Sequence, residues 1–118
     1  MAHAVAAAAA DIADQVDAVA IVAFTASGTT ALRTARKRPK VPILSISPEV
    51  SVARRSALLW GAHSIVSRDV SSYDEMVESA RSHVREEGFA QPGDTICVIS
   101  GIPFGQRGST NNVRVLTV

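Results

Sequence analysis

The chain contains one cysteine, Cys97, so no disulfide can close within it. That usage suits a reducing cytoplasm. Aromatic residues make up only 4% of the sequence, too few to interleave with basic residues as a base-stacking surface would need. Neither sign of charge dominates: the formal net charge is +1, so composition argues for neither nucleic acid nor an anionic membrane surface as a partner. No apolar run approaches a membrane span. The Ala-rich start lacks the basic front of a signal peptide and is interrupted by Asp11 and Asp14. His3, His63 and His83 fall in unrelated contexts, and no Ser/His/Asp or Cys/His set can be assembled from the sequence. Asp11, Asp14 and Asp17 have no His or Cys nearby, so they read as a solvated helix face rather than a metal site.

What is present is a great deal of small and branched aliphatic surface. The 118 residues are 47% hydrophobic, enough for one domain (1–118) with a real core. Residues 3–17 read as an amphipathic helix with Val5, Ile12 and Val16 inward beside Ala8 and Ala9. Residues 19–24 are apolar without alternation, the pattern of a strand buried on both faces. Residues 28–38 read as a helix stopped by Pro39. The pattern then repeats. A strand is expected over 41–46. Ser47-Pro48-Glu49 reads as an N-cap, a first-turn proline and a favourable acid, opening a helix that runs to about Trp60 and stops at Gly61. A third strand is expected over 64–67. Ser72-Tyr73-Asp74-Glu75 matches a capping box, and the helix behind it turns Met76, Val77, Ala80 and Val84 inward as far as Gly88. After the turn at Gln91-Pro92-Gly93-Asp94, a buried strand over 95–100 contains Cys97, read as a small core residue. A loop over 101–112 leads to a closing strand over 113–118. Alternating strands and helices imply an α/β three-layer open sheet of about five strands, mostly parallel, with helices on both faces. The last two strands have no helix between them, which implies an antiparallel C-terminal edge strand.

Two connections carry candidate chemistry. The first is Thr25-Ala26-Ser27-Gly28-Thr29-Thr30-Ala31, between a buried strand and a helix start. Helix-start N–H groups, the positive dipole end and the Ser/Thr hydroxyls would suit an anion, phosphate above all. The loop has neither the Lys and spacing of a P-loop nor a G-x-G-x-x-G, so nothing in it implies that a phosphate reacts there. The same residues also read as an ordinary N-cap, with Ser27 capping and Gly28 easing the turn. The second connection is Gly101-Ile102-Pro103-Phe104-Gly105-Gln106-Arg107-Gly108-Ser109-Thr110-Asn111-Asn112. It is long for a link between neighbouring strands, its glycines allow close backbone approach to a ligand, and Arg107 offers a fork for phosphate. A wide hairpin with permissive glycines is the other reading. Arg33, Arg36, Lys37, Arg38 and Lys40 form a basic cluster that reads as a solvated helix end, with cations near the negative dipole terminus. Trp60 reads as a core or interface residue.

The order Thr-x-Ser-Gly-x-Thr-Ala, Lys37-Arg38-Pro39, Trp60-Gly61, Gly93-Asp94, then Gly101-x-Pro-x-Gly-x-x-Gly-Ser-Thr-Asn111, resembles the C-terminal domain of pyruvate kinase over almost the whole chain. The resemblance implies a regulatory, effector-binding domain and part of a tetramer interface. In that family, phosphate transfer from phosphoenolpyruvate to ADP in glycolysis, with Mg²⁺ and K⁺, takes place in a barrel and lid domain. This chain is therefore expected to need no cofactor, to be inactive alone, and to be cytoplasmic. By position the resemblance assigns Thr25, Ser27, Gly28, Thr29 and Thr30 to the phosphate of an effector. It assigns Gly105, Arg107, Gly108 and Ser109 to a loop that closes over the effector. The resemblance implies that eukaryotic relatives activated by fructose-1,6-bisphosphate hold the second phosphate with an Arg on the helix before the Gly-Asp strand, together with a nearby Trp. That Arg aligns near Met76, and residues 71–79 contain no Arg, Lys or Trp. The expected effector is a sugar monophosphate or AMP, and the expected partners are the remainder of a pyruvate kinase and its other subunits. The start at Met1-Ala2 suits a domain cut from a longer chain; the alternative is a free-standing phosphometabolite-binding module.

Overall fold

Alanine builds the first helix. In the computed structural model, which describes residues 2–68, 70–101 and 110–118, α1 spans Ala2–Gln15. Alanine carries the least entropic cost of any residue in a helix. The buried stripe is Ala6, Ala9 and Ala13, at spacings of three and four. Val5 and Ile12 flank this stripe half-buried, whereas Ala8 lies outward and Val16 is past the helix end and exposed. The expected Val16 and Ala8 contacts are thus replaced by a thinner, all-alanine seam that lets α1 lie close to the sheet and to α2.

The remaining elements are β1 (Ala20–Phe24), α2 (Thr29–Arg36), β2 (Ile43–Ser47), α3 (Val50–Ser56), β3 (Ala62–Val66), α4 (Tyr73–Glu86), β4 (Thr95–Gly101) and β5 (Thr110–Thr117). They form one five-stranded sheet in the order β3-β2-β1-β4-β5. All neighbours are parallel except β4 and β5, which are antiparallel. The fold class and the antiparallel edge agree with the sequence reading. β5 begins at Thr110, three residues before the expected 113, and its pairing with β4 is irregular between Ser100 and Gly101.

Period-two alternation divides the buried residues between two faces. Val22, Leu44, Ile96 and Val98 meet Met76, Ala80 and Val84 of α4. Ile21, Cys97 and Ile99 meet Ala9 and Ala13 of α1, and Ala23 and Ile43 meet Ala31 and Ala35 of α2. Each large aliphatic side chain removed from water in this way contributes about 1.5–3 kcal/mol. Cys97 has no exposed surface, and burial pushes its thiol pKa up.

Two helix ends show how local chemistry shapes the fold. At α4, the Ser72 hydroxyl accepts the Glu75 N–H at 3.1 Å, as the capping box requires. The Glu75 carboxylate reaches back one residue further than expected, to the N–H (2.9 Å) and hydroxyl (3.1 Å) of Ser71. At the other end, Gly88 takes φ +77°, its N–H reaching the Arg85 carbonyl and that of Phe89 the Val84 carbonyl, a Schellman closure. The start of α3 differs from expectation. Ser47 is the last residue of β2, and its hydroxyl accepts the Glu49 N–H at 3.2 Å. Glu49, extended at φ −99°, is the N-cap, and α3 ends at Ser56, well short of Trp60. Trp60 is therefore not a core residue. It is 55% exposed, with the Arg38 guanidinium 4.7 Å from its ring centroid.

Candidate anion site at the carboxyl end of the sheet

The chain leaves β1 towards β2 on one side, while β4 lies on the other. The order of connection reverses at β1, and in open α/β sheets the crevice beyond the carboxyl ends of such strands is where ligands bind. The Thr25–Ala31 turn leaves the sheet at this end, where β4 also ends at Gly101. Gly105, Arg107, Gly108 and Ser109 of the second segment lie outside the described residues.

The first turn is built from its own hydroxyls. Thr25 extends the ladder, its N–H reaching the Ile46 carbonyl at 3.0 Å. Its buried hydroxyl then accepts the Gly28 N–H at 2.7 Å, folding the chain back. Gly28 sits at φ +90°, in the left-handed region that costs any L side chain about 1–2 kcal/mol. A Cβ there would also stand 3.4 Å from Val52 Cγ1. Gly28 itself is the N-cap of α2, and no side chain caps the helix. The expected Ser27 cap is thus not formed. Ser27 Oγ lies 2.9 Å from Thr29 Oγ1, and the Thr29 N–H approaches Ser27 Oγ only at 3.5 Å. Thr30 is buried, and its carbonyl accepts the Thr34 hydroxyl at 2.8 Å. The five residues assigned from the sequence therefore lie together, with distinct roles. Thr25 and Gly28 shape the turn. Ser27 and Thr29 present a pair of hydroxyls at the mouth of an eight-residue helix whose first turn holds no acid.

Beside this turn is a cavity of about 220 Å³ between α2 and α3. Ser27, Gly28 and Thr29 form its polar rim, Leu32 and Leu59 its apolar walls, and Arg55 and Ser56 its α3 side. The Arg55 guanidinium donates to the Ser27 carbonyl at 3.3 Å. Sequence reasoning missed this cation. It lies 28 residues from its partner, and only the parallel placement of β1 and β2, with α3 following β2, brings it to the turn. The basic cluster of α2 goes elsewhere: Arg38 stacks on Trp60, and Lys40 pairs with Asp14 at 3.4 Å on an exposed surface. Met76, the position expected to match a second-phosphate Arg, is wholly buried under the sheet. The exposed residues beside it, Asp74 and Glu75, are acids. Among the described residues no three His, Cys, Asp or Glu side chains gather as metal ligands, and no helix is long and apolar enough to cross a membrane.

The family profile described as "Pyruvate kinase, alpha/beta domain" matches residues 3–116. Two pyruvate kinases of Agrobacterium vitis are 45% identical over 116 residues and 48% identical over 113, covering 98% and 96% of this chain. A pyruvate kinase of Methylorubrum extorquens is 41% identical over 115 residues. In each case the match takes in 24% of the relative, so the chain spans about a quarter of the length of these proteins. With a profile match over nearly its whole length and relatives 45% and 48% identical over almost all of it, this chain belongs to the family of pyruvate kinase C-terminal alpha/beta domains.

Proposed function

We propose that this chain is the effector-binding regulatory domain of a pyruvate kinase, and that the Thr25–Thr30 turn seats the phosphate of a small effector. The observation that carries the reading is the start of α2. It is a helix terminus at the sheet's switch point whose N-cap is a glycine, whose first turn holds no acid, and where the Ser27 and Thr29 hydroxyls stand 2.9 Å apart. An arriving phosphate can take both hydroxyls and the helix-start dipole without displacing a native anion. The effector is a monophosphate, a sugar phosphate or AMP, because residues 71–79 supply no Arg, Lys or Trp for a second phosphate and Arg114, beside the start of α4, is already engaged with the ring and hydroxyl of Tyr73. The chain binds and couples; phosphoryl transfer belongs to the barrel of the longer enzyme, whose other domains and subunits are its partners. Effector binding would favour one arrangement of that assembly, with reciprocal coupling to substrate.

The test is calorimetry on the purified chain with a panel of sugar monophosphates, AMP and fructose-1,6-bisphosphate. Monophosphate binding that is lost in Ser27→Ala/Thr29→Ala is the expected result. Tight bisphosphate binding with no monophosphate binding would overturn the effector class, and pyruvate production by the chain alone would overturn its non-catalytic assignment.

A further inference from the structure

We propose that Arg55 and Ser56 of α3 complete the anion site, and that the effector's carbon skeleton lies between α2 and α3, against Leu32 and Leu59. This inference rests on the phosphate-seat reading above and adds a cation, a hydroxyl and a direction to it.

The argument begins with charge. A phosphomonoester carries about −1.5 to −2 near neutral pH. The start of α2 supplies the equivalent of about +0.5, and residues 25–31 contain no cation. The turn alone leaves most of the ligand charge uncompensated. Arg55 is the basic residue lining the adjoining cavity. It pairs with no carboxylate among the described residues, and its one contact there, to a neutral carbonyl at 3.3 Å, lies beyond the usual N–H···O range. A phosphate on the Ser27 and Thr29 hydroxyls would offer that guanidinium a shorter, charge-assisted, two-pronged contact. Arg55 and the dipole together come close to balancing one phosphomonoester, and they fall well short of balancing two.

Ser56 is the second and independent observation. It is 2% exposed, yet it lines the cavity, and its Oγ would stand 3.7 Å from a Cβ placed on Gly28. No described residue takes up that hydroxyl in a hydrogen bond. At the cavity wall this hydroxyl can donate to a ligand oxygen. The remaining walls, Leu32 and Leu59, are apolar and suit a carbon skeleton. At about 220 Å³ the space is smaller than the roughly 300–1,000 Å³ of pockets for drug-sized ligands. It fits a compact sugar monophosphate better than a nucleotide.

The experiment titrates the whole chain with a pentose 5-phosphate, AMP and inorganic phosphate by calorimetry, at two salt concentrations. The variants are Arg55→Gln, Arg55→Lys, Ser56→Ala, the neighbouring Arg54→Gln and the turn double variant Ser27→Ala/Thr29→Ala. Thermal melts confirm that each is folded. The inference expects Arg55→Gln to weaken pentose phosphate binding about tenfold or more and to flatten its salt dependence. It expects Arg55→Lys to recover part of the affinity, Ser56→Ala to lose several-fold, Arg54→Gln to match the parent, and AMP to bind more weakly than the pentose phosphate. Wild-type binding by folded Arg55→Gln, alongside lost binding in the turn variant, would overturn the α3 contribution while leaving the phosphate seat standing. Equal losses in Arg54→Gln and Arg55→Gln would reduce the effect to general charge and overturn the geometry. Failure of the parent to bind any of the three ligands would remove the seat itself, and this inference with it.

Discussion

The starts of α2 and α4 are built from similar residues and end in opposite states. Both open with a Ser/Thr-rich stretch at the carboxyl end of the sheet. At α4, Ser72 caps the Glu75 N–H, and the Glu75 carboxylate occupies the N–H and hydroxyl of Ser71. Those hydrogen bonds, the backbone one foremost, hold the Glu75 pKa below the ordinary glutamate range. This helix carries its own anion. At α2 the N-cap is a glycine, the first turn has no acid, and the Ser27 and Thr29 hydroxyls face each other. Hydroxyl content therefore does not make an anion site. What matters is whether the helix start already carries a carboxylate of its own.

The sharpest way to break the contrast is to give α2 an anion of its own. Thr29→Glu places a carboxylate in the first turn, as Glu75 does at α4. Loss of phosphate-ligand binding by calorimetry is expected, with folding stability unchanged or raised by about 0.3–1 kcal/mol. Next in size, Ser27→Ala/Thr29→Ala removes the facing hydroxyls and should weaken binding by roughly 1–3 kcal/mol. Gly28→Ala tests the shape of the turn. Its φ of +90° and the 3.4 Å approach to Val52 predict a stability loss of about 1–2 kcal/mol in urea denaturation, with affinity falling as the turn opens. Ser72→Ala is the control at the other helix. It should cost about 1 kcal/mol of stability and leave ligand affinity unchanged.

The smallest effect concerns pH. The Glu75 carboxyl has a lower pKa folded than unfolded. Its contribution is therefore fully present above the unfolded value and is lost as pH falls through the folded one. Acid should loosen the start of α4 in amide exchange, and Glu75→Gln should reduce that pH dependence.

The legible parts of this molecule were those written in consecutive residues. Unbroken apolar runs announced β1 and β4, and Ser72 with Glu75 announced α4. Missing helix between β4 and β5 announced the antiparallel edge. The turn at 25–31 was visible too, because strand, glycine, hydroxyls and helix follow one another directly. Two local readings went wrong where one residue served two elements. Ser47 ends β2 while its hydroxyl receives the Glu49 N–H, so α3 starts later than its proline suggested. Val16 continues the apolar spacing of α1 but lies beyond the helix, where Asp17 at φ +54° turns the chain away. Arg55 and Ser56 were illegible for another reason. Nothing in their own neighbourhood marks them, and only the crossover from β2 carries them to Gly28.

Amide chemical shifts of the chain, followed while a pentose 5-phosphate is added, test the central claim most directly, because both helix starts are read in one titration. The account predicts saturable shifts at Ser27, Gly28, Thr29 and Thr30, with Ser72, Tyr73, Asp74 and Glu75 unmoved. Shifts centred on the start of α4, with the start of α2 unmoved, would contradict it.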